Sequence, residues 1–502
     1  MFGCALVGSA SAQQTPEPSS PAARIVVLVD ESGSLNEEAV GQEREAAALL
    51  AGSELSPESE MTIMGFGSSN GPGQNAVTQY CPFITLASPQ DRQILADCAQ
   101  RIHRRETAEG DGTDHAAALQ AAVEALADTA GSDERSRIVF LLTDGMLDVR
   151  ASPSYGPDEQ TRQDEGNRRL DDDVLPSARD LGVQVWPLGF GNASQRDLDR
   201  FADGAAPGTK ACGAGGIPTP EARIVTSLND VAFAALEALA GANCAAVTDR
   251  EEGALESGGS LELDVLIPAI ASDGVISVTK RDPRVRVTYV DPDGTEVPKR
   301  GTFDGQELEV SGEQRAIESL HIRNPKPGTW RVRMEAPAGS ERVLVTAAAY
   351  WQGIVRSALD LMPILTRPGD RVVVQVRLLT RESEVVTDPA SIQDLDIKGR
   401  VEGDGFAPFD LPLADDGMDP DRGAGDTTLS GAFTMPERAS GRVQVTALIA
   451  GEGIVDNDER SAFFTVQTRD FLNVQIDLPD FRSIIPGERI QGTIIARNEG
   501  DP

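Results

Sequence analysis

Twice in this sequence an unbroken aliphatic run ends on an acid: "RIVVLVD" at 24–30 and "RIVFLLTD" at 137–144. A strand with no polar alternation has to be covered on both faces, which calls for a parallel sheet with helices above and below it. Three more runs fit the same sheet, "MTIMGFG" from 61, "VQVWPLGFG" from 183 and "ARIVTS" from 222. Between the runs, residues 37–51, 89–102, 113–129, 164–181, 194–203 and 228–240 carry the Ala, Leu, Glu, Arg and Gln that favour helix. Residues 24–247 are therefore expected to form a doubly wound α/β domain.

After Gly241 the texture changes. Val, Thr and Arg alternate in "VRVTYV", "WRVRM" and "RVVVQVRLL", and "DPDG", "NPKPG" and "TRPGD" mark turns. Short alternating strands with such punctuation predict all-β sandwich domains, at 256–354 and 355–468, with another opening at 470. A chain of 502 residues needs such a division, since single cores stop growing near ~250–300 residues. The segment 471–502 reads as two strands, 471–477 and 488–497, joined by a turn at Pro486-Gly487. A two-stranded ribbon is marginal by itself, so a longer third β domain, with a membrane or wall anchor beyond residue 502, is expected, a short terminal hairpin docked on the second sandwich being the alternative.

Forty-five basic against eighty acidic residues give a net charge of −35. That argues against nucleic acid as a partner, because its binding depends on neutralising phosphates with Lys and Arg. Basic residues that are nearly all Arg, with abundant Ala and Gly, match the usage of a GC-rich bacterial genome. The opening "MFGCALVGSASAQQTPEPSS" has an apolar run, a small-x-small cleavage pattern at Ala10-Ser11-Ala12 and a Pro-rich sequel, so residues 1–23 read as the remnant of an export signal and a linker. Cleavage after Ala12 would leave Cys81, Cys98, Cys212 and Cys244. In an exported chain these predict two disulfides. Three pairings are possible, and the sequence-local ones, Cys81 with Cys98 and Cys212 with Cys244, are favoured. Zinc is disfavoured, since no C-x-x-C pair exists.

In a doubly wound sheet, ligands bind beyond the carboxyl ends of the strands, where strand order reverses. Asp30 and Asp144 stand at two such ends. Ser32 and Ser34 follow Asp30 in "DESGS", and "GDGTDHAAALQAA" puts Thr113 where a glycine-rich loop meets a helix. Five oxygen-bearing side chains from three loops thus converge. Mg²⁺ seeks six oxygens at about 2.0–2.1 Å and usually keeps waters. Three neutral hydroxyls leave its charge incompletely quenched, so the open position suits a partner's carboxylate. Capping of the helix that begins near Asn36 is the competing role for Ser32 and Ser34, but a cap explains neither Thr113 nor Asp144.

The ordered set D-x-S-x-S in "DESGS", threonine in "DGTD" and acid in "LLTDG" resembles the metal-ion-dependent adhesion site (MIDAS) of von Willebrand factor type A domains. The resemblance covers residues 24–247. It implies Asp30, Ser32, Ser34, Thr113 and Asp144 as the ligands of Mg²⁺, with Mn²⁺ as a substitute, and a protein ligand that presents an acidic side chain. The predicted function is an exported Mg²⁺-dependent protein-binding or adhesion module on a β-sandwich stalk, not an enzyme. A structural envelope protein whose metal only steadies the loops is the alternative.

A serine hydrolase is a weaker one. "GSSNG" at 67–71 spells G-x-S-x-G after a strand, but Ser69 is followed by "GPGQNAVTQYCP" where a nucleophile elbow needs a helix. His103, His115 and His321 offer it no strong partner. A second acidic cluster, Asp415, Asp416, Asp419, Asp421 and Asp426 in "LADDGMDPDRGAGDTTLSG", lies between β segments. It resembles a D-D-G...D loop in the β-sandwich of calcium-activated chloride-channel regulators. Solvated turn and Ca²⁺ site are equally compatible with it.

Overall fold

The structure, a computed structural model, describes residues 22–127, 135–191, 193–208, 212, 217–225, 230–248, 250–363, 365–380, 384–393, 395–451, 453–458, 461–466, 472–477 and 493–498. The export-signal stretch and the Pro486-Gly487 turn lie outside the described residues.

The first elements are β1 (Ala23–Asp30), α1 (Glu37–Ser53), β2 (Glu60–Phe66), β3 (Val77–Thr85), α2 (Pro89–Ala99), α3 (His115–Ala127) and β4 (Ser136–Thr143). They are followed by α4 (Glu159–Arg168), a π-helical turn at Arg169–Val174, α5 (Leu175–Asp180), β5 (Val183–Gly189), α6 (Gln195–Gly204), β6 (Arg223–Ile224) and α7 (Asp230–Asn243). The strands form one sheet in the order β3-β2-β1-β4-β5-β6. β1 is parallel to β2 and to β4, and the ladder continues parallel through β5 and β6. Strand order reverses between β1 and β4, which puts their carboxyl ends side by side.

Side-chain parity along β1 explains the two-faced burial. Ile25, Val27 and Val29 pack into a core with α1, α2 and α7, while Val26 and Leu28 face Leu119, Ala122, Val123 and Leu126 of α3, Leu175 of α5 and Phe201 of α6. The mixed α/β class read from the sequence is the one observed. One strand departs from it: β3 is antiparallel to β2 and sits at the sheet edge. Its sequence "VTQYCPFIT" mixes polar with aromatic and aliphatic residues and is largely half-exposed, so no aliphatic run announces it. An antiparallel edge on a parallel sheet is a common arrangement.

The chain divides into two compact units at Gly353–Ile354, with Gly453–Val455 returning to the first. Beyond α7 the first unit holds β7 (Ala246–Val247), β8 (Glu251–Leu255), β9 (Ser260–Ile267), β10 (Ala271–Thr279), β11 (Arg286–Val290), β12 (Arg300–Phe303), β13 (Gln306–Ser311), β14 (Ile317–Arg323), β15 (Gly328–Glu335) and the opening of β16 (Val343–Met362). β12-β13-β14-β10-β16 form an antiparallel series in which β7 and β8 also pair with β16, and β11-β15-β9 form a second sheet. Alternate exposure along β9 and β15 matches the period-two pattern.

The α/β core does not stop at α7. Val275, Ile317, Ala348 and Tyr350 belong to the same buried cluster as α1 and α7. Hydrogen bonds cross the same junction: Ser53 with Ser277 at 2.7 Å, and Asn243 Nδ2 to Glu54 Oε2 at 2.6 Å and to Tyr350 Oη at 3.3 Å. His321 donates from Nε2 to the Gly52 carbonyl at 2.7 Å, and burial holds its imidazole well below the ordinary range, hence neutral.

The second unit contains β17 (Leu365–Thr366), β18 (Arg371–Leu379), β19 (Asp396–Asp404), β20 (Phe409–Pro412), β21 (Thr428–Thr434), β22 (Ser440–Ala450), the end of β23 (Ile454–Asp458), β24 (Ser461–Val466), β25 (Leu472–Asp477) and β26 (Thr493–Asn498). β18 and β21 pair antiparallel, β17-β24-β22-β19-β20 form a sheet, and β25 pairs with β26. Antiparallel sheets thus follow the α/β domain. Among the described residues no helix is long and apolar enough to cross a membrane.

Candidate metal centre

The carboxyl ends of β1 and β4 meet at Asp30. Register places Val29 opposite Leu142, so the next residues, Asp30 and Thr143, are neighbours, and Thr143 Oγ1 donates to Asp30 Oδ2 at 2.6 Å. Asp30 Oδ1 accepts from the Ser32 amide at 2.8 Å, turning the chain back over the strand end. Ser32 and Ser34 hydroxyls lie 2.8 Å apart, and Ser34 Oγ donates to Asp144 Oδ1 at 2.9 Å. A methyl placed on Gly145 would sit 3.8 Å from Thr113 Oγ1 and 3.9 Å from Ser34 Oγ. The two hydroxyls therefore flank one small space. Asp30, Ser32, Ser34, Thr113 and Asp144 are brought together at a single sheet edge.

Neither serine caps α1. Asn36 does, accepting from the Ala39 amide at 2.8 Å, which leaves both hydroxyls to the cluster. Thr113 also stands two residues before its helix: α3 begins at His115, Asp114 Oδ1 takes the Ala117 amide, and Thr113 exchanges backbone hydrogen bonds with Asp148.

Asp30 is fully buried, and its hydrogen-bond donors are neutral. Burial, reinforced by the nearby Asp144 charge, pushes its carboxyl up to about 7 against the lowering effect of Thr143 and Ser32. Burial also raises Asp144, with Ser34 opposing. On α1, Glu43 is buried with both carboxyl oxygens unpartnered among the described residues. Burial first, then the charges of Asp30, Asp144 and Glu31, push it well above the carboxylate range. A set of hard oxygen donors with surplus negative charge and neutral donors is the chemistry a divalent cation answers. The residues fit such an ion.

The residues that support this cluster carry no strong signal in the sequence. Thr143 has one hydroxyl proton, which it gives to Asp30, so His115 Nε2, 3.0 Å away, donates to Thr143 Oγ1. Burial depresses that imidazole to about 3, keeping it neutral. Glu31 is also fully buried, and Arg105 meets it at 2.9 Å while Tyr80 Oη donates to it. This pair fastens the segment leading to Thr113 onto the end of β1. Gly65 makes room for it, since a Cβ there would lie 2.5 Å from the Glu31 carboxyl. The signal available for Thr143 was its place one residue before Asp144.

The other sites separate from this edge. Ser69 Oγ donates to the Gln74 carbonyl at 3.0 Å, and its loop leads into the antiparallel β3 and not into a helix. Disulfides join Cys81 to Cys98, with Cα atoms 6.0 Å apart, and Cys212 to Cys244, 5.2 Å apart. In the second unit, carboxylate oxygens of Asp415, Asp421 and Asp426 lie within 4.8 Å of one another. They already accept backbone N–H groups: Asp415 from Gly425, Asp426 and Thr427, Asp421 from Gly417 and Arg422, Asp426 from Thr428. Asp416 instead accepts from the Met418 amide, and Asp419 pairs with Arg371.

Residues 25–146 match the family model of the von Willebrand factor type A domain. No curated protein matches the sequence. Among solved structures, proximal thread matrix protein 1 from the mussel byssus, with a zinc-occupied MIDAS motif, is 17% identical at a TM-score of 0.30, over 46% of this chain and 50% of that one. The pilus adhesin SpaC from Lactobacillus rhamnosus GG is 11% identical at 0.32, over 95% of this chain and 63% of that one. Manganese-loaded TRAP protein from Plasmodium vivax is 14% identical at 0.29, over 47% and 87%. This chain thus spans half the length of the mussel protein and under two thirds of the adhesin.

Proposed function

We propose, from a type A domain match over residues 25–146 and the oxygen cluster at its sheet edge, that this chain is an exported Mg²⁺-dependent protein-binding module of the adhesion kind. Asp30, Ser32, Ser34, Thr113 and Asp144 would hold the ion, Mn²⁺ serving in its place. The ion would supply an unquenched positive charge at an open position, for which a carboxylate of the partner is the matching group. The observation that carries this reading is the hydrogen-bonded line Thr143–Asp30 and Ser32–Ser34–Asp144, five side chains from two strand ends with surplus negative charge and neutral donors.

The chain's own residues prepare the site. His115 and Thr143 fix the rotation of the Asp30 carboxyl, Glu31 and Arg105 hold the Thr113 segment, and Asp144 stays half-buried beside the exposed Met146. The two disulfides support an oxidising, extracellular or surface location.

The test is a pair of measurements. Mg²⁺ is expected to raise the melting temperature, since a ligand of the native state alone adds about 2.7 kcal/mol at a hundred times its Kd. Thr113→Ala and Asp144→Ala should each lose that gain. A pull-down with and without Mg²⁺ then separates adhesion from a purely stabilising ion, because the latter requires the same partners for wild type and folded Asp30→Ala.

A further inference from the structure

The loops around the metal centre do not treat their arginines alike. Arg105 is matched to Glu31 at 2.9 Å and Arg150 to Asp148 at 2.7 Å. Arg104 is exposed and matched to no acid: its Nε donates to the Gly33 carbonyl at 3.1 Å, and its two Nη groups meet no acceptor among the described residues. Gly33 stands between Ser32 and Ser34, so this guanidinium is held against the loop that supplies two of the hydroxyls. Asp111, whose carbonyl takes the Gly33 amide at 2.8 Å, already has its carboxylate engaged by Thr107 at 2.8 Å and by Asn70 at 3.4 Å. The open end of Arg104 is therefore a planar fork of N–H donors, the geometry that receives a carboxylate in two parallel hydrogen bonds.

The other end of the Ser32–Ser34–Asp144 line is apolar. Gly145 borders the Thr113 and Ser34 hydroxyls, and the next residue, Met146, is 67% exposed. A flexible thioether at a surface adapts to apolar groups of varied shape. The net charge of −35 does not oppose an acidic partner at this range, since charges farther off than about 8 Å are largely screened at physiological salt. The cations closest to the ligand decide.

Resting on the reading of this edge as a metal site, we propose that the partner presents two carboxylates within about three residues of each other, one for the ion and one for Arg104, with an apolar side chain beside the first for Met146. Three extended residues span roughly 10 Å. The test is to pan a random heptapeptide library on the immobilised full chain in Mn²⁺ and to elute with EDTA. Eluted peptides are expected to carry two acids at that spacing and an apolar neighbour. Panning on Arg104→Gln should keep the first acid and lose the second, and panning on Met146→Ser should lose the apolar neighbour. The strongest wild-type peptide and its analogue with the second acid changed to the amide then complete a double-mutant cycle. Arg104→Gln should cost the two-acid peptide about fivefold in affinity, the upper end for an exposed ion pair, and leave the analogue unchanged. Equal loss for both peptides would make Arg104 a mere support of the Gly33 loop and overturn the proposal, as would eluted peptides with a single acid. A library from which EDTA releases nothing would overturn the metal-dependent reading itself, and this inference with it.

Discussion

Thr143 serves Asp30 by accepting from His115 and giving its only proton to the carboxylate. Replacing it with Val keeps the shape and removes both bonds. Loss of such a supporting partner typically lowers metal affinity 10–100-fold, so Thr143→Val is expected to weaken Mn²⁺ binding by that order in a calorimetric titration while the fold persists. Asp30 also imposes a pH dependence. Its folded carboxyl sits near 7 against 3.8 in the unfolded chain. Between those values the folded state binds more protons, so the contribution of Asp30 to metal-free stability is greatest below 3.8 and is lost as pH rises through about 7. His115, near 3 when folded, works in the opposite sense below its ordinary 6.5, so the Asp30 effect has to be read as a difference. In EDTA, Asp30→Asn should melt progressively higher than wild type as pH rises between those two values, the gap widening on the order of 1.4 kcal/mol with each step of one in pH. A constant difference would refute this origin. The sequence shows Asp30 and Asp144 because each ends an aliphatic run, whereas the role of Thr143 follows from the register that sets it beside Asp30, and that of Glu31 from the fold that brings Arg105 to it.

Among elements, the edge strand and the segment before α3 were the least readable. β3 lacks an aliphatic run because one face meets solvent and its pairing is antiparallel. The Cys81–Cys98 disulfide holds it to α2, and in the chain-entropy model a loop of this length gives roughly 3 kcal/mol. The double change Cys81→Ser, Cys98→Ser should lower stability by about that amount in urea titrations. The segment before α3 depends on a buried ion pair between elements distant in sequence, which no local pattern encodes. Gly65→Ala would push a methyl against the Glu31 carboxyl, 2.5 Å away. Breaking a buried pair costs about 3–5 kcal/mol, so this small substitution is expected to cost that order in stability and to weaken Mg²⁺ binding through Thr113. An unchanged denaturation midpoint would show that the pair can move aside.

In the whole molecule, the alternation of aliphatic runs and helices was enough to read an α/β domain followed by antiparallel sheets. The continuity between them was not readable, since Val275, Ile317 and Tyr350 look like ordinary strand residues until α1 and α7 are seen against them. Residues 22–247 expressed without the following strands would expose that face. They are expected to melt well below residues 22–353, which should unfold in one transition. The position of β1 has a mechanical consequence. Its ladder to β2 runs from Arg24 to Asp30 and its ladder to β4 from Ala23 to Val29. A tug on Asp30 along the strand axis therefore loads both ladders in shear, so the bonds share the force instead of opening one after another like a zipper, and a grip at this end of the sheet can bear tension that a grip at the β3 edge would not.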